Sequence, residues 1–421
     1  NDGVDGGIRD ARRHDSGHKH VAGEAVFVDD IPTPVDALAV HIAMSERAHA
    51  RIIGMDLSAV KAAPGVVSVI ASNDIPGIND ISPAMGDDPL FADGLVEFAG
   101  QSLFAVAAES IETARAAAAL AKVDYEDLPA IVTVDEAMAT ESLLEAPYVM
   151  ARGDTGRAIE AAPHKLKGRI YVGGQEHFYL EGQAALAVPG EDGDVTIYCS
   201  TQHPSEIQHT VAKVLGLANN SVTVEVRRMG GGFGGKESNG NLPAATAAII
   251  ARLTGHAAKV RYDRDQDIII TGKRHDFRID YRVGFDNDGC IQGIEFDQAA
   301  RCGMSFDLSV PICDRAMFHA DNAYYLPNVR ITSYRCKTNT VSNTAFRGFG
   351  GPQGMIGIER VIDEIAHYLG KDPLEVRRTN FYDPKDAVGE RSVTPYDMTV
   401  EDCVIDDIVS ELRGSADYDR R

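Results

Sequence analysis

Apolar and polar positions along this chain follow two periods that alternate. Leu38, Val40, Ile42 and Met44 are spaced by two, with Ala39, His41 and Ala43 between them, as in a half-buried strand. Residues 56–63 read as a short helix stopped by Pro64 and Gly65, and residues 66–70 and 102–108 as further strands. Ser110 caps a helix predicted over residues 111–121. Strands are predicted at residues 169–172, 184–188 and 195–199. Ser205 to Gln208 has capping-box spacing and opens a helix whose Ile207, Val211, Val214 and Leu215 share one face. Phe277, Ile279, Tyr281, Val283 and Phe285 alternate with charged residues, and Asp286-Asn287-Asp288-Gly289 turns that strand toward another at 291–296. Those aspartates also suggest a calcium loop. Its sixth and twelfth positions are Ile291 and Asp297 rather than Gly and Glu, so the turn is the better reading. Ile358, Val361, Ile362, Ile365 and Leu369 line one face of a helix stopped by Gly370.

These elements give an α+β fold class. Residues 1–17, polar and rich in Asp, Gly, Arg and His, read as a loose arm. Residues 18–130 form an α/β unit and 131–164 an Ala-, Glu- and Pro-containing connector. Residues 165–421 form a longer unit of mixed sheets with helices.

Composition narrows the functional classes. The 421 residues suffice for roughly two to three domains at about 150 residues each. With 41 Lys and Arg against 63 Asp and Glu, the net charge is −22, a field that repels nucleic acid and anionic membranes. The longest basic stretch, Lys273-Arg274-His275, is too short to offset it, so neither partner is expected. No apolar run reaches the ~18 residues of a membrane span, and nothing resembles a signal peptide. The cysteines form no C-x-x-C pair, which excludes a typical zinc ribbon or ferredoxin-type cluster within this chain. They read as free thiols in a reducing cytoplasm.

Candidate chemistry concentrates in Arg228-Met229-Gly230-Gly231-Gly232-Phe233-Gly234-Gly235-Lys236-Glu237. Glycine reaches positive φ freely and lets a ligand touch the main chain, so such a loop commonly cradles an anionic or planar group. Its spacing meets most of a nucleotide phosphate loop, but Glu237 stands where a magnesium-binding hydroxyl is required. Residues 173–181, 200–205 and 344–353 share its character. Two Gly-aromatic-Gly loops leading toward helices, with a strand-to-helix elbow carrying Gln202, point to one shared ligand site. His177, His203 and His209 match no metal-binding spacing and read as structural.

In order along the chain, G-G-Q-E-H-F-Y-L-E, S-T-Q-H-P-S-E, M-G-G-G-F-G-G-K-E and T-A-F-R-G-F-G-G-P-Q closely resemble the N-terminal half of the molybdenum-binding subunit of the xanthine dehydrogenase/aldehyde oxidase family of molybdenum hydroxylases. The resemblance runs from about His20 to the C-terminus. It implies an α/β hammerhead domain, then the first part of a molybdopterin-binding region, with molybdenum and molybdopterin as cofactors. It puts Gln202 beside the metal's oxo and hydroxo ligands, and Gly232, Phe233 and Gly234 against metal and pterin. Arg347 approaches the metal through its main chain. All are pocket neighbours, because the pterin dithiolene holds the metal in this family. Phe349 should stack on a planar heterocycle, Glu237 should hydrogen-bond a purine ring, and Arg315 should bind its carbonyl side with His319 nearby. The catalytic roles fall to Glu237, Arg315 and Gln202.

Elementary chemistry agrees with these roles. Oxidising a ring carbon pushes negative charge into the ring, and a guanidinium opposite a carbonyl stabilises that charge in the transition state. Burial should raise the pKa of Glu237. Aldehyde oxidases of the family generally lack this Glu/Arg pair, so a purine is the expected substrate, with hypoxanthine going to xanthine and xanthine to urate by Mo–OH attack. The family's general base is a glutamate in a Gly-x-Gly-Glu turn, and no such segment occurs in this sequence. The chain therefore reads as half of an active site in a cytoplasmic hetero-oligomer. A second polypeptide is expected to bring the remaining molybdopterin-binding region and the base, and another subunit to bring [2Fe-2S] clusters and FAD. Two alternatives stay open: the same cofactor acting on aldehydes or other N-heterocycles, and a nucleotide-binding module using residues 230–236. Arg315 pairing with Asp314 or Asp307, and Phe349 lying in the core, are the structural alternatives for those residues.

Overall fold

A computed structural model describes residues 11–383 and 390–421. Most of the arm predicted at 1–17 lies outside them, and a short helix begins at Gly17. In chain order follow β1 (Leu38–Met44), β2 (Val66–Ala71), β3 (Ser102–Ala108), α1 (Ile111–Ala118), β4 (Tyr148–Arg152), β5 (His164–Val172), β6 (Ala184–Pro189) and β7 (Val195–Cys199). Then come α2 (Pro204–Leu215), β8 (Val222–Glu225), α3 (Asn241–Thr254), β9 (Ala258–Arg261), β10 (Phe277–Phe285), β11 (Ile291–Gly303), α4 (Ser309–Phe318), β12 (Val329–Lys337) and α5 (Gly351–Leu369).

Two large sheets organise these elements. The first has seven strands in the order β8-β7-β6-β9-β1-β3-β2. In it β1 runs parallel to β9, with Leu38 opposite Ala258 and Val40 opposite Val260. Strands from before and after the predicted unit boundary thus share one sheet. The second sheet has five strands, β4-β12-β11-β10-β5. Its edge strand β4 comes from the segment read as a connector and pairs antiparallel with β12. Residues 131–164 also carry helices Val134–Ala139 and Thr155–Ala161, so they are built into the fold. The pattern hid β4 because it is an edge strand with no fully buried position, leaving no alternation to read.

The predicted Asp286–Gly289 turn is present, with the Gly289 amide donating to the Asp286 carbonyl at 3.1 Å. The helix read at 56–63 shrinks to Ser58–Lys61. The capping box at Ser205 does not form. Pro204 occupies the first helical turn, His203 is the N-cap without a side-chain bond, and the Gln208 amide donates to the Val222 carbonyl at 2.8 Å.

Two cores follow from the two sheets. One joins the seven-stranded sheet to α2 and α3, and the other joins the five-stranded sheet to α4 and α5. Alanine-rich α3 is buried from Asn241 to Ala251, as expected of a helix apolar nearly all round. In α5, Ile358, Val361, Ile362 and Ile365 face the core, and Gly370 ends the helix at φ 64°. Each of these helices begins just beyond one of the two glycine–phenylalanine loops, so both loops are anchored to packed cores. Among the described residues no helix is long and apolar enough to cross a membrane. All six cysteines are free.

Candidate active site

The two loops fold alike and meet. Phe233 has φ 55° and is followed by Gly234 at φ 97°; Phe349 has φ 48° between Gly348 at φ 101° and Gly350 at φ 90°. A left-handed phenylalanine is a rare, strained conformation worth about 1–3 kcal/mol, and such strain clusters at ligand sites. The Arg347 amide donates to the Phe233 carbonyl at 2.9 Å, joining the loops through the main chain. Ser238, just past the first motif, and Thr344, the first residue of the second, have hydroxyl oxygens 3.1 Å apart. His177 is a third brace. Its Nε2 donates to the Ala345 carbonyl at 2.6 Å, and desolvation pushes its pKa below the ordinary value, which keeps the ring neutral. Among the described residues no cluster of His, Cys, Asp or Glu is arranged to hold a metal ion.

The glycines answer mainly to protein rather than to ligand. A Cβ on Gly232 would stand 2.5 Å from Gln202 Oε1, one on Gly234 2.6 Å from the Ala345 carbonyl, and one on Gly235 2.6 Å from the His177 ring. The loop is thin because three segments press on it. What it leaves open is its amides. Those of Gly231, Gly232 and Phe233 have no acceptor among the described residues, while Gly234 N–H donates to Gln202 Oε1 at 2.8 Å. Successive unpaired amides form an anion-accepting nest, which fits the phosphate-bearing, electron-rich cofactor that the motifs imply. Gln202 is exposed and pinned from both sides, since its own amide donates to the Lys236 carbonyl at 2.8 Å.

Beneath the loop lies a charge network that motif reading missed. Lys236 is fully buried; its Nζ is 3.1 Å from Glu181 Oε2 and 2.7 Å from Ser200 Oγ, and sits 4.6 Å from the Tyr179 ring centroid. Glu181 Oε2 also accepts from the Gly230 amide at 2.7 Å, so the pair fastens the loop's entry. A lysine spent in this way is not free to grip a phosphate, which removes the structural basis of the nucleotide-loop reading. The signal was available: Glu181 ends a segment of glycines and aromatics that was read as part of a ligand site, and a carboxylate buried there needs a cation. Lys236→Met leaves a buried, unpaired carboxylate and should cost about 3–5 kcal/mol, measured by chemical denaturation; a loss under about 1 kcal/mol would contradict the anchoring role.

The predicted substrate groups surround this frame. Glu237 is half-buried; desolvation, then the negative charge of Asp307, raises its pKa, as its predicted burial requires. Burial pushes the Asp307 carboxyl up to about 6 against the opposing pull of the nearby Ser238 and Thr344 hydroxyls, and the residue carries no motif. Phe349 is half-buried, and Arg347 and Arg315 are exposed. Arg315 makes no ion pair or side-chain hydrogen bond among the described residues, because Asp314 pairs with Arg335 instead. His319 Nδ1 lies 2.9 Å from the Arg315 carbonyl, so it braces the end of α4. His203 pairs with Glu206 at 3.1 Å and His209 is exposed on α2.

Comparison with known proteins gives the family. The sequence matches the molybdopterin cofactor-binding domain over residues 139–381, and the a/b hammerhead domain of aldehyde oxidase and xanthine dehydrogenase over residues 22–129. It is 41% identical to the xanthine dehydrogenase/oxidase of Mus musculus over 97% of this chain and 30% of that protein. It is 38% identical to the xanthine dehydrogenase of Dictyostelium discoideum, over 97% of this chain and 30% of that protein. The chain therefore spans under a third of the length of these relatives. The structure superposes on the aldehyde oxidoreductase of Desulfovibrio gigas with a TM-score of 0.87 and 29% identity, covering 95% of this chain and 46% of that one. Quinoline 2-oxidoreductase from Pseudomonas putida 86, at 23% identity and a TM-score of 0.85, shares the fold. With its hammerhead unit and its molybdopterin cofactor-binding domain, this chain belongs to the xanthine dehydrogenase family as a molybdenum-binding portion.

Proposed function

We propose that this chain supplies the purine-binding side and part of the cofactor cradle of a cytoplasmic molybdenum hydroxylase that takes hypoxanthine to xanthine and xanthine to urate. The observation that carries the reading is the bonded pair of left-handed phenylalanine loops, with Glu237 leaving one and α4, the helix of Arg315, packed against the other. Gly231, Gly232 and Phe233 would offer their amides to the cofactor, with Gln202, Gly234 and Arg347 beside them. When bound, the molybdenum centre supplies the transferred oxygen and accepts two electrons from the ring carbon. [2Fe-2S] clusters and FAD on partner subunits would supply the onward electron transfer.

The chain's own residues bind and orient the purine. Phe349 offers a face for stacking. Arg315, exposed and unpaired, is free to meet a carbonyl that gains charge as the ring is attacked. Glu237, with its raised pKa, keeps its proton to higher pH than an ordinary glutamate and in that form donates to a ring nitrogen. The sign follows: purine affinity should fall as pH rises through that raised pKa, and Glu237→Gln, which always donates, should flatten the dependence of KM on pH. Glu237→Ala should weaken purine oxidation while molybdenum content stays at the parent level. Unchanged purine kinetics in Glu237→Ala would overturn the assignment. The likeness to an aldehyde oxidoreductase structure favours a second reading, in which the same cradle serves aldehydes; assaying both substrate classes on these variants separates the two.

A further inference from the structure

Arg315 is exposed, so its own contacts do not aim it; the helix beneath it must. Burial of Ile312, Cys313, Ala316 and Met317 decides which face of α4 turns inward, and three further contacts refine the placement of its C-terminal half. On one side Gly350 of the second loop and Gly354 of α5 press on α4 carbonyls one helical turn apart. A Cβ on Gly350 would come 2.0 Å from the Ile312 carbonyl, and one on Gly354 2.1 Å from the Ala316 carbonyl. At the end, the His319 ring bonds the Arg315 carbonyl and lies against Gly351, where a Cβ would meet it at 3.3 Å. These two contacts set the height and tilt of α4. Neither holds the side chain of Asp314, the residue next to Arg315.

The third contact does. Asp314, the residue before Arg315, is held by the Arg335 guanidinium from β12 through Nη2. Arg335 is 2% exposed and is the largest fully buried side chain among the described residues. Its Nε lies 3.3 Å from Glu145 Oε1, its guanidinium carbon is 5.9 Å from the Tyr148 ring, and Nη1 has no acceptor among the described residues. A buried arginine with an unsatisfied donor is a poor choice for stability, since an apolar side chain of similar size often serves as well. It is a good choice for direction, because its rigid plane, held between Glu145 at Nε and Asp314 at Nη2, leaves few places for the Asp314 carboxylate to sit. Adjacent residues on a helix project about 100° apart. Holding Asp314 against the sheet therefore turns Arg315 outward.

We propose that Arg335 is a positioning residue for Arg315: through Asp314 it fixes the rotation of α4 that points the Arg315 guanidinium at the substrate. The inference rests on the reading of Arg315 as the purine's charge partner. Both carboxylates left by Arg335→Met are partly exposed, at 40% for Asp314 and 38% for Glu145, and can rehydrate, so the variant should fold. Asp314→Asn, which keeps the shape and removes the charge, is the second probe.

The test is a double-variant cycle on the assembled enzyme, with xanthine and a small aldehyde as substrates. Misplacing a reacting or charge-stabilising group by about 1 Å can cost on the order of 10²-fold, so Arg335→Met and Asp314→Asn should each lower kcat/KM for xanthine by about ten- to a hundredfold. Aldehyde turnover should hold. Arg335→Lys, which keeps the charge without the fork, should fall between. In the Arg315→Met background, Arg335→Met should add almost nothing, because the group it positions is gone. Additive losses in the double variant, or equal losses on both substrates, overturn the proposal while Arg315→Met still singles out the purine. If Arg315→Met itself fails to discriminate, the purine reading falls and this inference with it.

Discussion

Purified alone, these 421 residues are expected to oxidise xanthine at least about 10²–10⁴-fold more slowly than the assembled enzyme, the usual contribution of a general base. The structure makes the reason specific. Three glutamates lie in or beside the glycine loops, and two are committed elsewhere. Glu181 is tied to Lys236, and Glu176 pairs with Lys273 at 2.7 Å. That leaves Glu237, which the proposal assigns to the purine. The loop surface is also unfinished: Phe178 is 68% exposed, Leu180 94% and Phe233 48%, all beside the cradle. Large exposed apolar side chains beside a ligand site are what a covering polypeptide segment would bury. The remaining molybdopterin-binding region should cover them and deliver the base. Full xanthine turnover by these residues alone would show that the base is already among them.

The second large effect is on Arg315. Arg315→Met should lower kcat/KM for xanthine by about 10²–10³, the typical cost of one preorganised charge-stabilising donor. Thermal stability should hardly change, since the side chain is exposed and its nearest carboxylate, Asp314, belongs to Arg335. A small aldehyde, with no second carbonyl to meet the guanidinium, should be oxidised at nearly the parent rate. Equal losses on the two substrates, measured by initial rates at matched molybdenum content, would remove Arg315 from the substrate's side of the site.

Much of this site was legible because each loop is local. Phe233, Gly234, Phe349 and the start of α5 lie within short segments, and α5 shows its face through Ile358, Val361, Ile362 and Ile365 at helical spacing. What the sequence withheld depends on distant pairing. The union of β1 with β9 joins residues more than two hundred positions apart, and nothing in either strand's alternation names its neighbour. Edge strand β4 was hidden because it buries no position fully. Lys236 looked like a phosphate lysine until Glu181 and Ser200 were placed around it. The glycines were expected to make room for a ligand, yet Gln202, Ala345 and His177 occupy the space where their side chains would stand. Asp307 carried no motif, and only the fold brings it to Ser238 and Thr344 and its charge to bear on Glu237.

The paired glycine–phenylalanine loops are expected to hold a molybdenum–pterin cofactor. Elemental and pterin analysis of the assembled protein carrying this chain tests it most directly, compared with a Gly234→Val variant. Position 234 has φ 97° and a Cβ there would lie 2.6 Å from the Ala345 carbonyl, so the variant should part the loops. The account predicts stoichiometric molybdenum with pterin in the parent and loss of both in Gly234→Val. A parent protein free of molybdenum and pterin that instead binds a nucleoside triphosphate would contradict it.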